Sequence, residues 1–378
     1  MNVTTEQLVA GISEWMACES PSHDAAALWR MAELIRTCAA ESGLRVNVTP
    51  VRATPQAPEL PLLSATNRAP GDTRPGLLIL GHMDTVHPIG TLSANPVRIE
   101  GDKLYGPGGY DMKAGVYMAL AALSALAQPG STPLPVDMLV VPDEEVGSHA
   151  SRASIEAYAR NARYCLVAEP ARANGGRCVT ARKGTGNVHL QVQGVASHAG
   201  LAHEKGRSAV REMAHQVLAL EAMTDYSRGI TVSVGTIEGG TTSNTVPAFC
   251  KCHVDFRFSD MVSADEIVQK MNALRPVGED VQLSVDVEVN RPPMVRDEKV
   301  VALLNRVQAS AHAAGFDLEE APPTGGASDA NFTSALGVPS LDALGADGDG
   351  AHTWHEHIII STLAKRTRFW HHLLANLD

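Results

Sequence analysis

The sequence predicts an α/β protein: a mostly parallel or mixed sheet, flanked by helices, with a second α+β domain inserted into it. Short apolar runs bounded by turn residues indicate fully buried strands, because a parallel sheet is covered on both faces. A helical segment, DMKAGVYMALAALSALA (111–127), separates two of these runs. The runs are GLLILGH (76–82), VDMLVVPDEE (136–145), YCLVAEP (164–170) and PSLDALGAD (339–347).

Further elements flank these strands at both ends of the chain. Apolar periodicity predicts two helices and then two strands before the first buried run. After the inserted segment it predicts a helix, the last buried strand and a C-terminal helix. The predicted ranges are helices 4–17 and 23–42, strands 44–52 and 60–66, and helices 297–314 and 361–375.

Between about residues 180 and 291 the pattern changes to alternating strands and amphipathic helices. The order of elements is β-α-β-β-α-β, which is the ferredoxin-like split arrangement and folds as a unit of its own. We therefore predict two domains. One is discontinuous, comprising 1–179 and 292–378, and the other, 180–291, is inserted into it.

Composition excludes several classes of function. A chain of 378 residues with 44% hydrophobic content can bury substantial cores, and its net charge of −11 argues against nucleic acid and anionic membranes. Six scattered cysteines, no run of 18 apolar residues and no signal-peptide pattern lead us to expect a cytoplasmic protein with reduced thiols. The 15 histidines direct attention to metal chemistry.

Polar residues follow the predicted buried strands and occupy one glycine-rich loop, YGPGGYDMKAG. In open α/β sheets the carboxyl ends of the strands form the ligand site. Imidazole nitrogens together with carboxylates are the donors that catalytic zinc takes. The candidates are His82, Asp84, Asp111, Glu144, Glu145, Glu169 and His352.

Charge balance separates these carboxylates into ligands and a base. Asp111, Glu145 and Glu169 supply three negative charges, which together with a hydroxide would balance two Zn²⁺ ions. Glu144 is then left to move protons. Each motif alone has an ordinary interpretation, since an H-x-D pair is commonly a surface turn and an acidic cluster is commonly a solvated helix start. Their conjunction at one edge of one sheet indicates the metal site.

The motifs resemble a known family in order and spacing. They are GHMDTVHP, GDKLYGPGGYDMKAG, PDEEVGS, AEP, ASHAG, TSNTVP and GAHTWHEH. Over nearly the whole chain they are similar to the dinuclear zinc exopeptidases and deacylases, which include glutamate carboxypeptidase, acetylornithine deacetylase, succinyl-diaminopimelate desuccinylase and aminoacylase. NPVRIEGDKLYGPG, NRPPM and TGGASDANF most resemble the bacterial glutamate carboxypeptidases.

The resemblance implies two Zn²⁺ per chain, with Co²⁺ or Mn²⁺ as alternatives, and a role for each candidate. His82 and Glu169 would bind one ion, and Glu145 and His352 the other, with Asp111 bridging. Asp84 would orient His82, and Glu144 would be the general base. Asp143 has no role that the sequence indicates and is interpreted as a loop residue.

The resemblance also implies that the inserted domain is a lid and pairs with its copy to form a homodimer. His198 would then reach the partner subunit's site and polarise the scissile carbonyl, and Asn244 would contact substrate. Without the resemblance, His198 would be interpreted as a turn histidine.

Two arginines are candidates for the free carboxylate of the substrate, since a guanidinium matches a carboxylate in shape and charge. Arg291 resembles the position used in glutamate carboxypeptidases and is preferred. Arg257 resembles one used in desuccinylases, but a structural ion pair is its alternative. Gly325 and Gly326 would let the backbone approach the substrate closely.

The predicted function is metal-assisted hydrolysis of an amide bond beside a free carboxylate, with a small molecule as substrate. The alternatives are an N-acyl amino-acid deacylase, an amidase or deaminase with the same metal centre, and a non-catalytic binding protein, which would be expected to lack a ligand or the base. Tyr110 and His355 depart from the family pattern near the pocket, and His23 lies at a helix start away from the strand ends.

Overall fold

The computed structural model describes residues 3–172 and 175–378. The chain divides into two compact units. The first comprises Met1–Ala181, Met294–Thr324 and Ser328–Asp378, and the second comprises Arg182–Pro293 and Gly325–Ala327. The change of unit falls two residues from each predicted domain boundary, and the short loop 325–327 groups with the second unit.

Strands and helices are numbered in chain order. The strands of the first unit are β1 (Arg45–Val51), β2 (Leu60–Thr66), β3 (Gly76–His82), β4 (Arg98–Glu100), β5 (Lys103–Tyr105), β6 (Val136–Val141), β7 (Ala162–Val167), β14 (Ser340–Leu341), β15 (Gly348–Asp349) and β16 (His357–Ile359). Those of the second are β8 (Gly184–Gln193), β9 (Ser197–His198), β10 (Thr231–Gly239), β11 (Thr245–Val246), β12 (Phe249–Phe258) and β13 (Gln282–Arg291).

The helices of the first unit are α1 (Thr5–Met16), α2 (Ala25–Glu41), α3 (Thr91–Ala94), α4 (Ala114–Ser124), α5 (Arg152–Ala159), α8 (Glu298–Ala313), α9 (Ala330–Ala335) and α10 (Ile360–Asn376). Those of the second are α6 (Ala209–Glu221) and α7 (Met261–Asn272). Within the described residues, none of the helices is long and apolar enough to cross a bilayer.

The main sheet of the first unit has the strand order β1-β2-β6-β3-β7-β14. The pairs β6–β3, β3–β7 and β7–β14 are parallel, and β1–β2 and β2–β6 are antiparallel. This is the mixed, mostly parallel α/β sheet that the sequence predicts. A small antiparallel sheet, β15-β16-β5-β4, accompanies it.

Strand β3 shows why the buried runs lack polar alternation. All seven of its residues are buried. Leu77 and Ile79 face one apolar cluster with α1, α2, α4, α8 and α10, and Leu78 and Leu80 face another with α5 and α9. Each fully buried leucine contributes about 1.5–3 kcal/mol, so helices on both faces stabilise a strand that is apolar throughout. Its first polar side chain, His82, comes at the carboxyl end.

Two predicted elements differ from the structure. The strand predicted at 339–347 is only Ser340–Leu341, because Asp342 exchanges backbone hydrogen bonds with Val179 and Ala343 has φ +60°, which takes the chain out of the ladder. The helix predicted from residue 111 begins at Ala114, after a wider turn over Gly109–Lys113.

The second unit is a four-stranded antiparallel sheet, β10-β12-β8-β13, with α6 and α7. In chain order its elements run β8-α6-β10-β12-α7-β13, which is the predicted β-α-β-β-α-β arrangement. Alternate residues of β8 such as Val188, Leu190 and Val192 are buried against the two helices. The unit therefore has its own core.

Candidate metal centre

His82 is fixed at the end of β3 with one ring nitrogen facing other candidate ligands. Its side chain is buried, and Nδ1 lies 3.0 Å from the backbone oxygen of Asp84 and 3.4 Å from Oδ1 of that residue. These acceptors favour a proton on Nδ1, which leaves the lone pair on Nε2 for a metal. Nε2 lies 3.1 Å from Oδ1 of Asp111 and 3.9 Å from Oε1 of Glu169.

Asp84 joins β3 to the turn after β6. Its buried carboxylate accepts hydrogen bonds from the backbone N–H groups of Glu144 and Glu145, both at 3.1 Å. It also accepts the hydroxyl of Ser22 at 2.7 Å. The N-terminal segment thus supports the site through Ser22.

Asp111 faces two histidines with its two oxygens. While Oδ1 approaches His82, Oδ2 lies 3.4 Å from Nε2 of His352, and that nitrogen is 3.1 Å from Oε2 of Glu145. The backbone of His352 has φ +63°, in the sparsely populated left-handed region. Non-glycine residues held in this conformation cluster at functional sites. A carboxylate between two imidazoles is suited to bridge two cations.

Glu169 completes the cluster at the end of β7. Candidate ligand atoms of His82, Glu144 and Glu169 lie within 4.8 Å of one another, as do those of His82, Asp111 and Glu145. A Cβ on Gly345 would lie 2.2 Å from the oxygen of Ala168 and 2.7 Å from that of Glu169, so only glycine permits this close packing.

The donor set fits divalent metal ions. Among the described residues, the buried Oε1 of Glu145 has no hydrogen-bond partner, which is costly unless a cation or water satisfies it. The donor groups that converge and could hold metal are His82, Asp111, Glu145, Glu169 and His352, with Glu144 beside them.

The electrostatics of the cluster also favour a cation. Burial, together with the charge of Asp111, raises the pKa of Glu169 well above its usual value, and burial raises the pKa of Glu145. Hydrogen bonds to Asp111 and Glu145 raise the pKa of His352 to about 10. The protein therefore holds its carboxylates together against the cost of desolvation, and added positive charge would relieve that cost.

Glu356 holds the loop that carries Asp111, and the sequence analysis did not single it out. Its fully buried carboxylate accepts the backbone N–H groups of Gly108, Tyr110 and Asp111, each at 2.9 Å, and Oε2 lies 2.7 Å from Nε2 of His87. This explains why Gly109–Lys113 forms a wide turn instead of the first turn of α4. The only signal in the sequence is its place in GAHTWHEH, four residues after His352.

Asp143 has a structural role that the sequence does not reveal. Its buried carboxylate accepts the backbone N–H of Ala150 and the hydroxyl of Ser151, both at 2.6 Å. Burial raises its pKa to about 6. Asp143 therefore closes the loop that carries Glu144 and Glu145.

The two residues that depart from the family pattern differ in burial. Tyr110 is buried and donates its hydroxyl hydrogen to the backbone oxygen of Ala171 at 2.6 Å, so it packs the loop beneath Asp111. His355 is exposed, and its backbone oxygen lies 2.8 Å from Nδ1 of His357.

The remaining candidates belong to the second unit. His198 and Asn244 are both exposed. A backbone hydrogen bond from the N–H of Ala199 to the oxygen of Asn244 links the segments that carry them. Nδ1 of His198 accepts the N–H groups of Gly200 and Leu201 at 3.1 and 3.2 Å.

The two candidate arginines have different surroundings. Arg257 pairs with Asp255 at 2.8 Å and donates to the oxygen of Gly325, while Arg182 donates to the oxygen of Gly326. Arg291 is buried at the end of β13 and donates to the side-chain oxygen of Asn290 at 3.2 Å. A Cβ on Gly325 would meet open space.

A family model describing peptidase family M20/M25/M40 matches residues 78–376. The chain belongs to this family. The resemblance inferred from its motifs is thereby confirmed, and this M20 chain is a metal-dependent hydrolase.

Similar proteins agree with that assignment. The M20 chain is 32% identical over 295 residues to carboxypeptidase G2 of Pseudomonas sp. (strain RS-16), an alignment that covers 77% of this chain and 71% of the relative. It is 27% identical over 328 residues to succinyl-diaminopimelate desuccinylase of Bordetella petrii, covering 81% and 84%. The M20 metallo-carboxypeptidase Sso-CP2 of Sulfolobus solfataricus shares the fold, with a TM-score of 0.76, 18% identity and 98% coverage of both chains.

Proposed function

We propose that this M20 hydrolase cleaves an amide bond next to a free carboxylate, in the manner of a glutamate carboxypeptidase. The observation that carries the proposal is the convergence of two imidazoles and three carboxylates, with Asp111 between His82 and His352 at 3.1 and 3.4 Å. The similarity to a carboxypeptidase and to a desuccinylase supports the choice of bond, because both names describe cleavage of an amide in a substrate that carries carboxylates.

In this proposal two Zn²⁺ ions, or Co²⁺ or Mn²⁺ in their place, bind to the cluster. His82 and Glu169 would hold one ion and Glu145 and His352 the other, with Asp111 shared by both. When bound, such ions would supply the Lewis acidity that polarises the substrate carbonyl and lowers the pKa of water. Asp84 accepts the hydrogen on Nδ1 of His82, so that Nε2 keeps its lone pair for an ion.

Glu144 is the proposed general base. The carboxylate of Asp84 accepts the backbone N–H of Glu144. The carboxylate of Glu144 lies within 4.8 Å of candidate ligand atoms of His82 and Glu169, and the proposal does not use it as a ligand. It takes a proton from the attacking water as the new C–O bond forms. It then gives that proton to the amide nitrogen as the C–N bond breaks, which yields a carboxylic acid and an amine.

His198 is proposed to stabilise the negative charge that develops on the carbonyl oxygen. Because Nδ1 accepts two backbone N–H groups, the neutral ring carries its hydrogen on Nε2 and can donate it. We propose that the second unit acts as a lid and pairs with its copy in a homodimer, so that this donor serves the partner subunit's site. Asn244 on the neighbouring loop would contact substrate.

The substrate carboxylate is proposed to bind Arg291 rather than Arg257, because Arg291 resembles the position used in glutamate carboxypeptidases and the chain is 32% identical to carboxypeptidase G2. Gly325 and Gly326 would lie beside the substrate. Replacing Arg291 with alanine should raise KM more than replacing Arg257, by roughly 10–100-fold for loss of a charged hydrogen bond. The reverse order would assign the carboxylate to Arg257.

Glu144→Gln tests the function and the base together. Turnover of the metal-loaded protein should fall by about 10²–10⁴-fold. Metal content, measured by atomic emission, should remain near two ions per chain in this proposal. Retained turnover would remove Glu144 from the mechanism.

The alternative is an N-acyl amino-acid deacylase, which the match to desuccinylase across 81% of this chain favours. A panel of folate-like substrates and N-acyl amino acids distinguishes the two by their relative kcat/KM values. Hydrolysis of other amides or amines would indicate an amidase or deaminase. Binding of such substrates without turnover, even with Zn²⁺, Co²⁺ or Mn²⁺ present, would indicate a binding protein.

A further inference from the structure

Two histidines of the second unit face each other on the two inner strands of its sheet. His189 on β8 lies directly opposite His253 on β12. Their rings are in edge-to-face contact, with centroids 4.4 Å apart and an interplanar angle of 84°. Directly opposite residues of an antiparallel pair have Cβ atoms about 4.5–5.5 Å apart. The sheet therefore presents two imidazoles at a spacing that one small ligand can bridge.

The alternation of side chains along both strands puts this pair on the face of the sheet away from α6 and α7. The residues on either side of each histidine are buried in the core beneath these helices: Val188 and Leu190 on β8, and Cys252 and Val254 on β12. Successive residues of a strand point to opposite faces. His189 and His253 accordingly point the other way, and both are exposed.

The ring nitrogens of the pair are available to a ligand. Within the part of the chain that the structure describes, neither ring takes part in a hydrogen bond or an ion pair. His198 differs, because its Nδ1 accepts two backbone N–H groups. Exposed side chains change rotamer within picoseconds to nanoseconds, so both rings can turn a nitrogen toward a shared ion across a low barrier.

The neighbouring strand adds a carboxylate to this row. Asp286 on β13 is exposed and lies directly opposite His189 on the side away from His253. It is one strand beyond an ion held between the two rings, but it is placed to accept a hydrogen bond from the other nitrogen of His189. A carboxylate in that position orients a metal-binding imidazole and makes it more basic.

Two adjacent imidazoles select the kind of ion. Imidazole suits Zn²⁺, Cu²⁺ and Ni²⁺, whereas Mg²⁺ and Ca²⁺ prefer oxygen donors. We infer that His189 and His253 form a second metal site, which binds one divalent transition-metal ion, and that Asp286 orients His189 in it. The site shares no residue with the metal centre of the first unit, so it does not depend on the proposed function.

Cu²⁺ is the probe for this site, because nitrogen donors bind it most tightly among these ions. The protein is first loaded with Zn²⁺, freed of excess metal and then titrated with Cu²⁺ under electron paramagnetic resonance, to which Zn²⁺ does not contribute. About one Cu²⁺ per chain should bind, with a signal split by two imidazole nitrogens. His189→Gln and His253→Gln should each weaken binding by at least about tenfold, since losing a ligand costs no less than losing its orienting partner.

The double variant distinguishes one shared ion from two separate ones. With a shared ion, combining His189→Gln and His253→Gln should weaken binding little beyond either single change, because the first already removes the chelate. Additive losses would mean that each ring binds its own ion, and the inference would be wrong. His215→Gln is the matched control, since His215 is an exposed histidine on α6, and it should bind Cu²⁺ like the unaltered protein.

Two further outcomes would overturn the inference. If the double variant binds as much Cu²⁺ as the unaltered protein, the ion enters another site, such as the metal centre. If the single variants lose thermal stability but keep their Cu²⁺ affinity, the two rings serve only to pack against each other. Asp286→Asn should weaken Cu²⁺ binding by about tenfold, and an unchanged affinity would remove Asp286 from the site. Circular dichroism checks that each variant is folded.

Discussion

The metal centre and the His198 loop place functional side chains in opposite ways. At the metal centre His82, Asp84 and Glu356 are buried, and each is fixed by atoms from distant parts of the first unit. In the second unit His198 is exposed, and only the backbone of the next few residues holds its ring. The difference indicates that the candidate metal site depends on tertiary contacts of the first unit, while the tautomer of His198 is set within its own loop.

The largest expected effect is at the centre of the cluster. Asp111→Asn removes the charge between the two histidines, so metal content should fall below two ions per chain and kcat should drop by at least about a thousandfold. Both quantities can be measured on the same metal-titrated sample. Full metal content in this variant would show that Asp111 does not bridge.

His198→Ala should lower kcat by roughly 10²–10³-fold, as expected for loss of one oxyanion donor. Metal content should stay unchanged, because no metal ligand is touched. His203→Ala is a matched control, since His203 is another exposed histidine of the second unit, in the turn His203–Lys205. Equal activities of the two variants would show that His198 has no part in catalysis and is a turn histidine.

Glu356→Gln should weaken metal affinity by about 10–100-fold, the usual effect of losing a residue that orients a ligand. An amide cannot accept from three N–H groups and His87 at once, so the loop bearing Asp111 would shift. Metal titration of the stripped protein measures the effect, and circular dichroism checks the fold.

The control for Glu356 is Glu100→Gln, which alters an exposed carboxylate paired with Arg98 at 2.6 Å. The same affinity in both variants would show that Glu356 does not position Asp111.

The smallest effect is a release of protons when metal binds. The pKa of His352 is raised to about 10 by Asp111 and Glu145, and hydrogen bonds to Asp111 and Asp84 raise that of His82 despite its burial. A raised pKa favours the protonated ring in the metal-free protein, and metal takes the neutral imidazole. Loading Zn²⁺ at pH 7 should therefore release protons, and metal affinity should fall as pH falls.

Calorimetry in two buffers of different ionisation enthalpy counts these protons. A binding enthalpy that is the same in both buffers would contradict the prediction.

The sequence predicted an element correctly where residues within that element determine its structure, and failed where a distant partner does. Strand β3 was predicted at its observed bounds, 76–82, because helices on both faces favour apolar residues along it up to His82 at its carboxyl end. The strand at 339–347 was predicted too long, because hydrogen bonds between Asp342 and Val179 compete with the ladder. Periodicity does not report a competing partner more than a hundred residues away.

The same limit explains what was missed in the site. Glu356 contacts Asp111 across 245 residues of sequence, so no local pattern marks it. Asp143 was interpreted as a loop residue because three adjacent carboxylates look alike in sequence, and its hydrogen bonds to Ala150 and Ser151 are seen only in the structure.

The sequence by itself determined the α/β class, the order β-α-β-β-α-β of the second unit, and the candidate ligands at strand ends, since burial periodicity and residue chemistry are local properties. Only the tertiary structure decided which oxygen of Asp111 faces which histidine and what holds that loop. These depend on distances between segments far apart in the chain, which packing and long-range hydrogen bonds set.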